Sequence, residues 1–376
     1  DVNGDELDDF LIGAPYNDEG GSLAGQVYLI TGEDIVDAGA GQFDLEDATY
    51  RFQGANGFDF LGYSVGFAGD IDGDGKTDVM MGAPQWDYPG RGNAGVVYIF
   101  LASTLEDTEG DIDVSDADYF IVGSDLADKN GSQVVGIGDI DGDDLDDFAV
   151  HAEGQDLGGS SAGAVYIFLA GDLPAVGSTI EADDAHMMLV GEYNLDYAGR
   201  HMAAAGDIDG DGKDDLIVGA NDNDEVADSS GAAYILFGET MALGGELDLS
   251  EADIIIRGTT AQDRVGKGIG SAGDVDGDGK DDVLIGVPGD DWWNGDSGTA
   301  FLLLGSTLSG SATTYDLNNY EYDRAFGGDA NQDIGGSVAG GDIDGDGMPD
   351  LIFGGTKWDS NKGVMQIYFN EYEASE

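Results

Sequence analysis

A nine-residue acidic segment recurs six times along the chain at nearly constant spacing. The copies begin at residues 1, 70, 139, 207, 274 and 342, so that successive starts lie 67–69 residues apart. They read DVNGDELDD, DIDGDGKTD, DIDGDDLDD, DIDGDGKDD, DVDGDGKDD and DIDGDGMPD. A period this regular predicts one structural unit that is copied along the chain.

Short apolar runs recur at fixed places around each acidic segment. A run such as YSVGFAGD leads into the segment, DVMMGAP follows it, and GVVYIFLA and a run such as DIIIRG come later. These runs are rich in Val, Ile, Phe and Tyr, are bounded by Gly or Asp, and show no helical period. Four short strands per unit predict an all-β protein, a β-propeller of four-stranded antiparallel blades.

The strand count leaves the number of blades open. We number the strands of a blade so that the first strand leads into the acidic segment and the second follows it. The chain then carries six second and six third strands but five first and five fourth strands. We expect one domain over residues 1–376, with six blades that carry an acidic loop. The ring is either six-bladed and lacks half a blade, or seven-bladed, with the chain truncated in both cases.

Each acidic segment places hard oxygen ligands at regular positions. Side-chain oxygens occupy positions 1, 3, 5 and 9, and the backbone carbonyl of position 7 completes a cage suited to Ca²⁺, which takes about six to eight oxygens. An EF-hand is excluded because position 12 is apolar in all six copies, where that motif needs Glu. A metal-free Asp/Gly turn and Mg²⁺ are the alternatives. We expect about one structural Ca²⁺ per repeat, up to six.

The predicted calcium ligands follow the same five positions in every copy. They are Asp1, Asn3, Asp5, Leu7 and Asp9; Asp70, Asp72, Asp74, Lys76 and Asp78; Asp139, Asp141, Asp143, Leu145 and Asp147; Asp207, Asp209, Asp211, Lys213 and Asp215; Asp274, Asp276, Asp278, Lys280 and Asp282; and Asp342, Asp344, Asp346, Met348 and Asp350. Two copies depart from the pattern, since Asn3 replaces an acid and Glu6 and Asp144 replace the glycine at position 6.

The net charge limits the possible partners and the setting. Asp and Glu number 78 against 13 Lys and Arg, for a formal charge of −65, and cysteine is absent. Nucleic acid is excluded as a partner because its phosphates require a basic patch. No apolar run reaches the roughly 18–20 residues that would insert into a membrane. The acidity predicts a marine or halophilic source, where salt screens self-repulsion.

At these motifs the sequence resembles the FG-GAP repeat, the blade of the integrin α-subunit propeller. The GAP element stands at residues 13–15 and 82–84, and the FG element is reduced to x-Gly, as at Leu61-Gly62 and Val265-Gly266. The resemblance covers essentially the whole chain, and the family's calcium loops match the six loops position by position. It implies a ligand face opposite the calcium loops. A calcium loop in every visible blade, more than integrins carry, favours a prokaryotic type, and open calcium sites of this kind predict an extracellular or cell-surface location.

Aromatic side chains concentrate in the loops that would form that ligand face. All four tryptophans fall between second and third strands in blade order. Exposed aromatics on rigid loops commonly bind sugars or proteins. The predicted ligand-binding residues are Trp86, Tyr88, Arg91, Trp292, Trp293 and Trp358. The alternative is that Trp86 and Trp358 only cover the bases of their loops.

No catalytic motif accompanies these features, since the three histidines are scattered and no nucleophile motif is present. We expect a non-enzymatic, extracellular calcium-binding propeller that recognises a protein or glycan ligand within a larger multidomain surface protein. The alternatives are the propeller domain of a secreted lyase-like or phospholipase-like enzyme, and a structural spacer in a large surface protein.

Overall fold

The computed structural model describes residues 1–39, 41–105, 108, 110–291, 297–309, 313–319, 321–329, 331–357 and 362–370. Its contacts divide the chain into two compact units. The first comprises Asp1–Gln155 and Ala164–Leu189, and the second comprises Asp156–Gly163 and Val190–Glu376. The predicted single-domain ring over residues 1–376 stays a prediction.

The first unit holds three β-sheets. Its strands are Phe10–Ala14 (β1), Gln26–Ile30 (β2), Tyr50–Gln53 (β3), Ser64–Gly69 (β4), Asp78–Ala83 (β5), Val96–Phe100 (β6), Gly110–Asp113 (β7), Tyr119–Val122 (β8), Asn130–Gly138 (β9), Asp147–Ala152 (β10), Ala164–Phe168 (β11), Ser178–Glu181 (β12) and Met187–Val190 (β13). The sheet orders are β1-β2-β3-β7, β4-β5-β6-β8-β12 and β9-β10-β11-β13.

The second unit repeats the same plan. Its strands are His201–Gly206 (β14), Asp215–Ala220 (β15), Ala232–Leu236 (β16), Gly245–Asp248 (β17), Ile254–Arg257 (β18), Gly268–Gly273 (β19), Asp282–Val287 (β20), Thr299–Leu303 (β21), Thr314–Asp316 (β22), Arg324–Gly327 (β23), Ile334–Gly341 (β24), Asp350–Gly355 (β25) and Val364–Tyr368 (β26). The sheet orders are β14-β15-β16-β18-β22, β19-β20-β21-β23 and β24-β25-β26.

These sheets are antiparallel blades of the β-propeller type, as the sequence predicted. Within the described residues the chain forms five first, six second, six third and five fourth strands, which confirms the predicted strand count. The second and third strands of the middle four sheets are buried along their whole length. They are rich in Val, Ile and Leu because each is covered on both faces, as strands between stacked sheets must be.

The core of each unit lies between neighbouring sheets. In the first unit the rings of Phe52 on β3 and Phe100 on β6 lie 4.8 Å apart between centroids. In the second unit Ile217 on β15 and Phe301 on β21 belong to one buried cluster, and Leu284 and Phe353 belong to the next. Within each unit, neighbouring sheets therefore bury apolar side chains against one another.

Several outer strands carry one additional strand that the sequence analysis missed. β7 pairs in parallel with β3, β12 with β8, and β22 with β18. Each added strand comes from the long loop of the next repeat and buries one large apolar side chain, which is Ile112, Ile180 or Tyr315. A segment of three or four residues with one apolar position gives no readable period.

Short helices follow third strands in several repeats, where the sequence showed no helical period. They are Gly32–Ala38 (α1), Ala102–Leu105 (α2), Gly238–Met241 (α3) and Gly305–Leu308 (α4). In α1, Thr31 Oγ1 accepts the Asp34 N–H at 3.3 Å and Asp34 Oδ2 accepts the Thr31 N–H at 3.0 Å. This capping box stabilises a helix that is too short to show a periodic apolar face. No helix in the described part of the chain has the length and apolarity needed to cross a membrane.

Four pairs of glycines allow neighbouring sheets to approach closely. A Cβ on Gly82 in β5 would lie 2.0 Å from the carbonyl oxygen of Gly131, the second residue of β9. Gly131 itself has a φ of +83°, a backbone conformation that favours glycine. The same approach joins Gly13 to Gly62, Gly219 to Gly266 and Gly286 to Gly335. These are the glycines of the GAP and FG elements, so both motifs mark one backbone contact.

Candidate functional site: the acidic loops

The first aspartate of each acidic loop organises the backbone around it. Asp70 Oδ1 accepts the N–H groups of Gly73 at 2.8 Å and Asp74 at 3.0 Å, and its Oδ2 accepts the Gly75 N–H at 2.8 Å. The same three hydrogen bonds recur at Asp1, Asp139, Asp207 and Asp342. The loop thus wraps around the carboxylate at its first position.

The aspartate at position 9 is the buried anchor of each loop. Asp215 is 0 % exposed, its Oδ2 accepts the Ile208 N–H at 2.8 Å, and its Oδ1 accepts the Gly238 N–H at 2.8 Å. One carboxylate therefore ties the start of the loop to the chain just after the third strand. The same pair of backbone hydrogen bonds is accepted by Asp9, Asp78, Asp147, Asp282 and Asp350.

Sequence reasoning assigned position 9 to metal binding and missed this anchoring role. Four of the six aspartates lie 23 residues before the backbone N–H that they accept, as Asp215 lies before Gly238. That constant separation is the one signal in the sequence that could have revealed the contact.

Three of the predicted ligand positions converge in five of the six loops. The carboxylates at positions 1, 3 and 9 each offer an oxygen atom within 4.8 Å of the other two. The five groups are Asp70, Asp72 and Asp78; Asp139, Asp141 and Asp147; Asp207, Asp209 and Asp215; Asp274, Asp276 and Asp282; and Asp342, Asp344 and Asp350. Three carboxylates this close form an oxygen-rich cage that could hold a divalent cation.

Position 5 does not belong to the converging group in any of those five loops, as far as the described residues show. Its carboxylate instead accepts the backbone N–H of position 7, as between Asp74 and Lys76 at 2.9 Å. Asp143, Asp211, Asp278 and Asp346 make the same bond with Leu145, Lys213, Lys280 and Met348. The predicted role of the position 7 carbonyl as a ligand stays a prediction.

Burial makes the anchoring carboxylates costly to ionise. It raises the pKa of Asp215 to about 8, of Asp78 and Asp147 to about 7, and of Asp282 to about 6. Backbone hydrogen bonds lower these pKa values, and the neighbouring carboxylates at positions 1, 3 or 5 raise them further. Clustered carboxylates of this kind require a positive charge or a proton to offset their repulsion.

The two loops that depart from the sequence pattern keep the same backbone. Glu6 and Asp144 have φ angles of +67°, in the left-handed region that glycine occupies in the other loops. In the first loop, the Asn3 side-chain amide donates to Asp5 Oδ2 at 3.0 Å. The ligand positions of that loop therefore carry one fewer negative charge, and the amide at position 3 is already engaged with a neighbouring carboxylate.

The predicted ligand face is partly described. Trp86 and Tyr88 are partly buried against the core of the first unit, and their rings lie 5.7 Å apart. Arg91 forms an ion pair with Glu181 and donates from Nη1 to the Gly123 carbonyl at 2.7 Å. These three side chains are thus tied into the fold at the base of their loop. Trp292, Trp293 and Trp358 lie outside the described residues.

Two further aromatic side chains in the first unit are more accessible than Trp86. Tyr16, just after β1, is 69 % exposed, and Phe58, in the turn before β4, is 58 % exposed. The Tyr16 ring makes an edge contact with Phe60, with centroids 5.7 Å apart. Both residues lie at the end of the sheets opposite the acidic loops, where sequence reasoning placed the ligand face.

The comparisons with known proteins agree with this architecture. The FG-GAP repeat family matches residues 61–100, 198–236 and 268–303, each of which includes an acidic loop and its second and third strands. The chain therefore carries FG-GAP repeats over these three segments.

A curated relative supports the same assignment. Integrin alpha-PS2 of Drosophila melanogaster is 36 % identical over 110 residues, which make up 28 % of this chain and 7 % of the fly protein. The chain thus matches a small part of the length of that relative.

Proposed function

We propose that this protein is a calcium-binding recognition module that acts at the cell surface or outside the cell. The observation that carries the calcium proposal is the convergence of three carboxylates in each of five loops. Their backbone hydrogen bonds hold the carboxylates in place, which reduces the cost of assembling the site. A set of oxygen ligands alone favours Ca²⁺ or Mg²⁺, and the flexible geometry that Ca²⁺ accepts suits a loop of this kind better.

Calcium binding is expected to stabilise the folded protein by linkage, because the unfolded chain does not hold the carboxylates together. We expect the melting temperature to rise between EDTA and millimolar Ca²⁺, and to rise less with equimolar Mg²⁺. Calorimetric titration should give several sites. A melting temperature that is identical in EDTA and in Ca²⁺ would refute the proposal.

One substitution isolates the charge of a single loop. Asp209→Asn keeps the side-chain oxygen that accepts the Asp211 N–H at 3.0 Å and removes one negative charge. The first loop carries Asn at this position naturally, as Asn3. We expect one site to bind Ca²⁺ at least tenfold more weakly in Asp209→Asn, and the control Asp116→Asn, at an exposed residue outside the loops, to bind as the wild type does.

We further propose that the loops opposite the acidic loops bind a protein or glycan partner, and that the protein is not an enzyme. The similarity to an integrin α chain and the concentration of aromatic residues in these loops support this proposal. The decisive test is binding to a panel of glycans and surface proteins in Ca²⁺ and high salt.

The panel should compare the wild type with Trp292→Ala/Trp293→Ala, with Phe369→Ala as the control. Phe369 is an exposed aromatic residue that follows β26, at the end nearer the acidic loops. We expect a hit that the double variant loses and the control keeps. No hit, or hits that are indifferent to both changes, would favour a structural spacer over a recognition module.

A further inference from the structure

A polar cavity of about 390 Å³ opens in the second unit, between the last two sheets at the end away from the acidic loops. Its walls come from the turn before β19, the loop after β20, the turn before β24 and the loop after β25. The side chains used below are Gln262, Arg264, Lys267, Asp291, Asp333 and Lys357. All of these segments lie at the end of the sheets opposite the acidic loops.

The backbone of the cavity is held in a fixed geometry. Gln262 and Arg264 have φ angles of +70° and +58°, which is the left-handed conformation. Gly289 donates its N–H to the Asp263 carbonyl at 3.1 Å, and a Cβ on Gly289 would lie 1.7 Å from the Gln262 carbonyl oxygen. The two segments therefore pack backbone against backbone, and the side chains of the turn are presented from a rigid base.

The charge of this cavity differs from that of the rest of the chain. Three of the 13 Lys and Arg residues line it, although Asp and Glu number 78. Lys357 Nζ lies 3.1 Å from Asp333 Oδ2. Arg264 and Lys267, by contrast, form no ion pair with any residue in the described part of the chain.

Several other cations are paired with acids, as in Arg51 with Asp111 at 2.7 Å and Arg257 with Glu225 at 2.8 Å. Arg324 instead lies over the aromatic rings of Phe326 and Tyr368. Two cations three residues apart in one turn repel each other unless an anion lies between them. The charge of Lys267 also reaches the start of β14, where burial, Arg200 and Lys267 together lower the pKa of His201 to about 4.

The other polar groups narrow the chemistry of the ligand. Asp291 and Asp333 would repel a phosphate or sulfate dianion, whereas their oxygens can accept hydrogen bonds from hydroxyl groups. Gln262 lies at the same rim, where its side-chain N–H donates to Asp228 Oδ2 at 3.1 Å and its Oε1 can accept from a hydroxyl group. A ligand that suits both sets of groups carries one carboxylate and several hydroxyls, and a single sugar ring fits a pocket of this volume.

We propose that this cavity binds a hexuronate, the carboxylate-bearing sugar unit of an acidic glycan. Arg264 and Lys267 bind the sugar carboxylate, with the guanidinium able to donate two parallel hydrogen bonds. Asp291 and Gln262 face the ring hydroxyls. This inference rests on the proposed recognition function and specifies the ligand class at the same loop face.

The test is calorimetric or NMR titration of the Ca²⁺-treated protein with sodium glucuronate, with glucose and inorganic sulfate as comparison ligands. Salt near 0.15 M keeps the Debye length at roughly 8 Å, so that the distant carboxylates are screened while contacts in the cavity persist. We expect glucuronate to bind measurably and at least tenfold more tightly than glucose or sulfate.

The variant Arg264→Gln/Lys267→Gln removes both charges at exposed or half-buried positions. It should weaken glucuronate binding at least tenfold with an unchanged melting temperature. Arg264→Lys/Lys267→Arg keeps the charges and should bind within a few-fold of the wild type. The matched control is Lys129→Gln, since Lys129 occupies the same turn position in the first unit, with a φ of +55° and Glu153 at 3.7 Å. This control should bind as the wild type does.

Each contrary result has a distinct meaning. Glucuronate binding that survives the loss of both charges, or no binding by the wild type, would overturn the proposal. Equal binding of sulfate and glucuronate would overturn the assignment to a sugar. If a hit from the glycan and protein panel persists in Arg264→Gln/Lys267→Gln, the recognition function stands and only the present inference fails.

Discussion

At the scale of single residues, the buried aspartate at position 9 stabilises the fold through hydrogen bonds to the backbone. Asp215 accepts the N–H groups of Ile208 and Gly238, and both hydrogen bonds are buried. Asp215→Ala would leave two donors without a partner. We expect a loss of about 2 kcal/mol or more in the free energy of unfolding, measured by urea denaturation in EDTA.

The neighbouring exposed residue Glu239 provides the control for this prediction. Glu239→Ala should change the free energy of unfolding by no more than about 0.5 kcal/mol. Repeating both measurements in Ca²⁺ separates the hydrogen bonds from any cation contribution. A wild-type stability for Asp215→Ala in EDTA would mean that the two backbone bonds contribute little.

A second buried aspartate lies away from the acidic loops and predicts a pH effect. Asp196 is 1 % exposed, and its Oδ2 accepts the Asn223 side-chain N–H at 2.7 Å. Burial raises its pKa to about 7, the Asn223 side chain and the Tyr193 backbone lower it, and the charges of Glu192 and Asp224 raise it. Between about pH 4 and pH 7 the folded state therefore keeps a proton that the unfolded chain has released, so this group lowers stability as the pH rises.

Asp196→Asn removes that titration and keeps an oxygen that can accept from Asn223. We expect the melting temperature of the variant minus that of the wild type to increase as the pH rises from 4.5 to 8. The control Asp116→Asn, at an exposed residue, should show no such trend. A difference between Asp196→Asn and wild type that stays constant with pH would rule out the raised pKa as its cause.

At the scale of elements, the glycine contacts explain why two short motifs recur together. Gly82→Ala would place a methyl group 2.0 Å from the Gly131 carbonyl oxygen, so the two strands would have to separate. We expect a loss of about 1–3 kcal/mol in the free energy of unfolding. Gly41→Ala is the control, because nothing lies within 4 Å of its added Cβ. Equal stability of the two variants would show that the strands yield easily.

The added strands show how each repeat holds the preceding one. In the chain, β7 and β12 each come just before the fourth strand of their own repeat. Each nevertheless pairs in parallel with the fourth strand of the preceding sheet. Such pairing occurs between segments about 60 residues apart, as in Arg51 with Asp111, whose side chains also form an ion pair. The long loop, which reads as variable in sequence, therefore contributes to the packing between blades.

At the scale of the whole molecule, the charge of −65 predicts that salt stabilises the fold. Carboxylates on the surface repel one another, and the screening length falls from about 10 Å at 0.1 M to about 3 Å at 1 M salt. We expect the melting temperature in saturating Ca²⁺ to rise from low salt to molar NaCl, with KCl giving the same curve. A flat or falling curve would contradict both this prediction and the halophilic or marine origin expected from the sequence.

The sequence by itself determined the repeat, the strand order within each blade, and the location of the acidic loops, whereas the convergence of positions 1, 3 and 9 without position 5 came from the structure. These features follow from residues that are close in the chain, where spacing sets which side chains share a loop or a strand. The glycine motifs could also be recognised in the sequence, but the backbone contact that explains them could not.

Only the tertiary structure decided the features that join distant residues. Asp215 accepts a hydrogen bond from Gly238 two strands later, and β22 pairs with β18 some 60 residues away. Arg264 and Lys357, from two different blades, line one cavity. The partial burial of Trp86 likewise depends on a core that its own loop does not contain. Local spacing specifies the parts of this protein, and the stacking of one repeat on the next determines which of their side chains become partners.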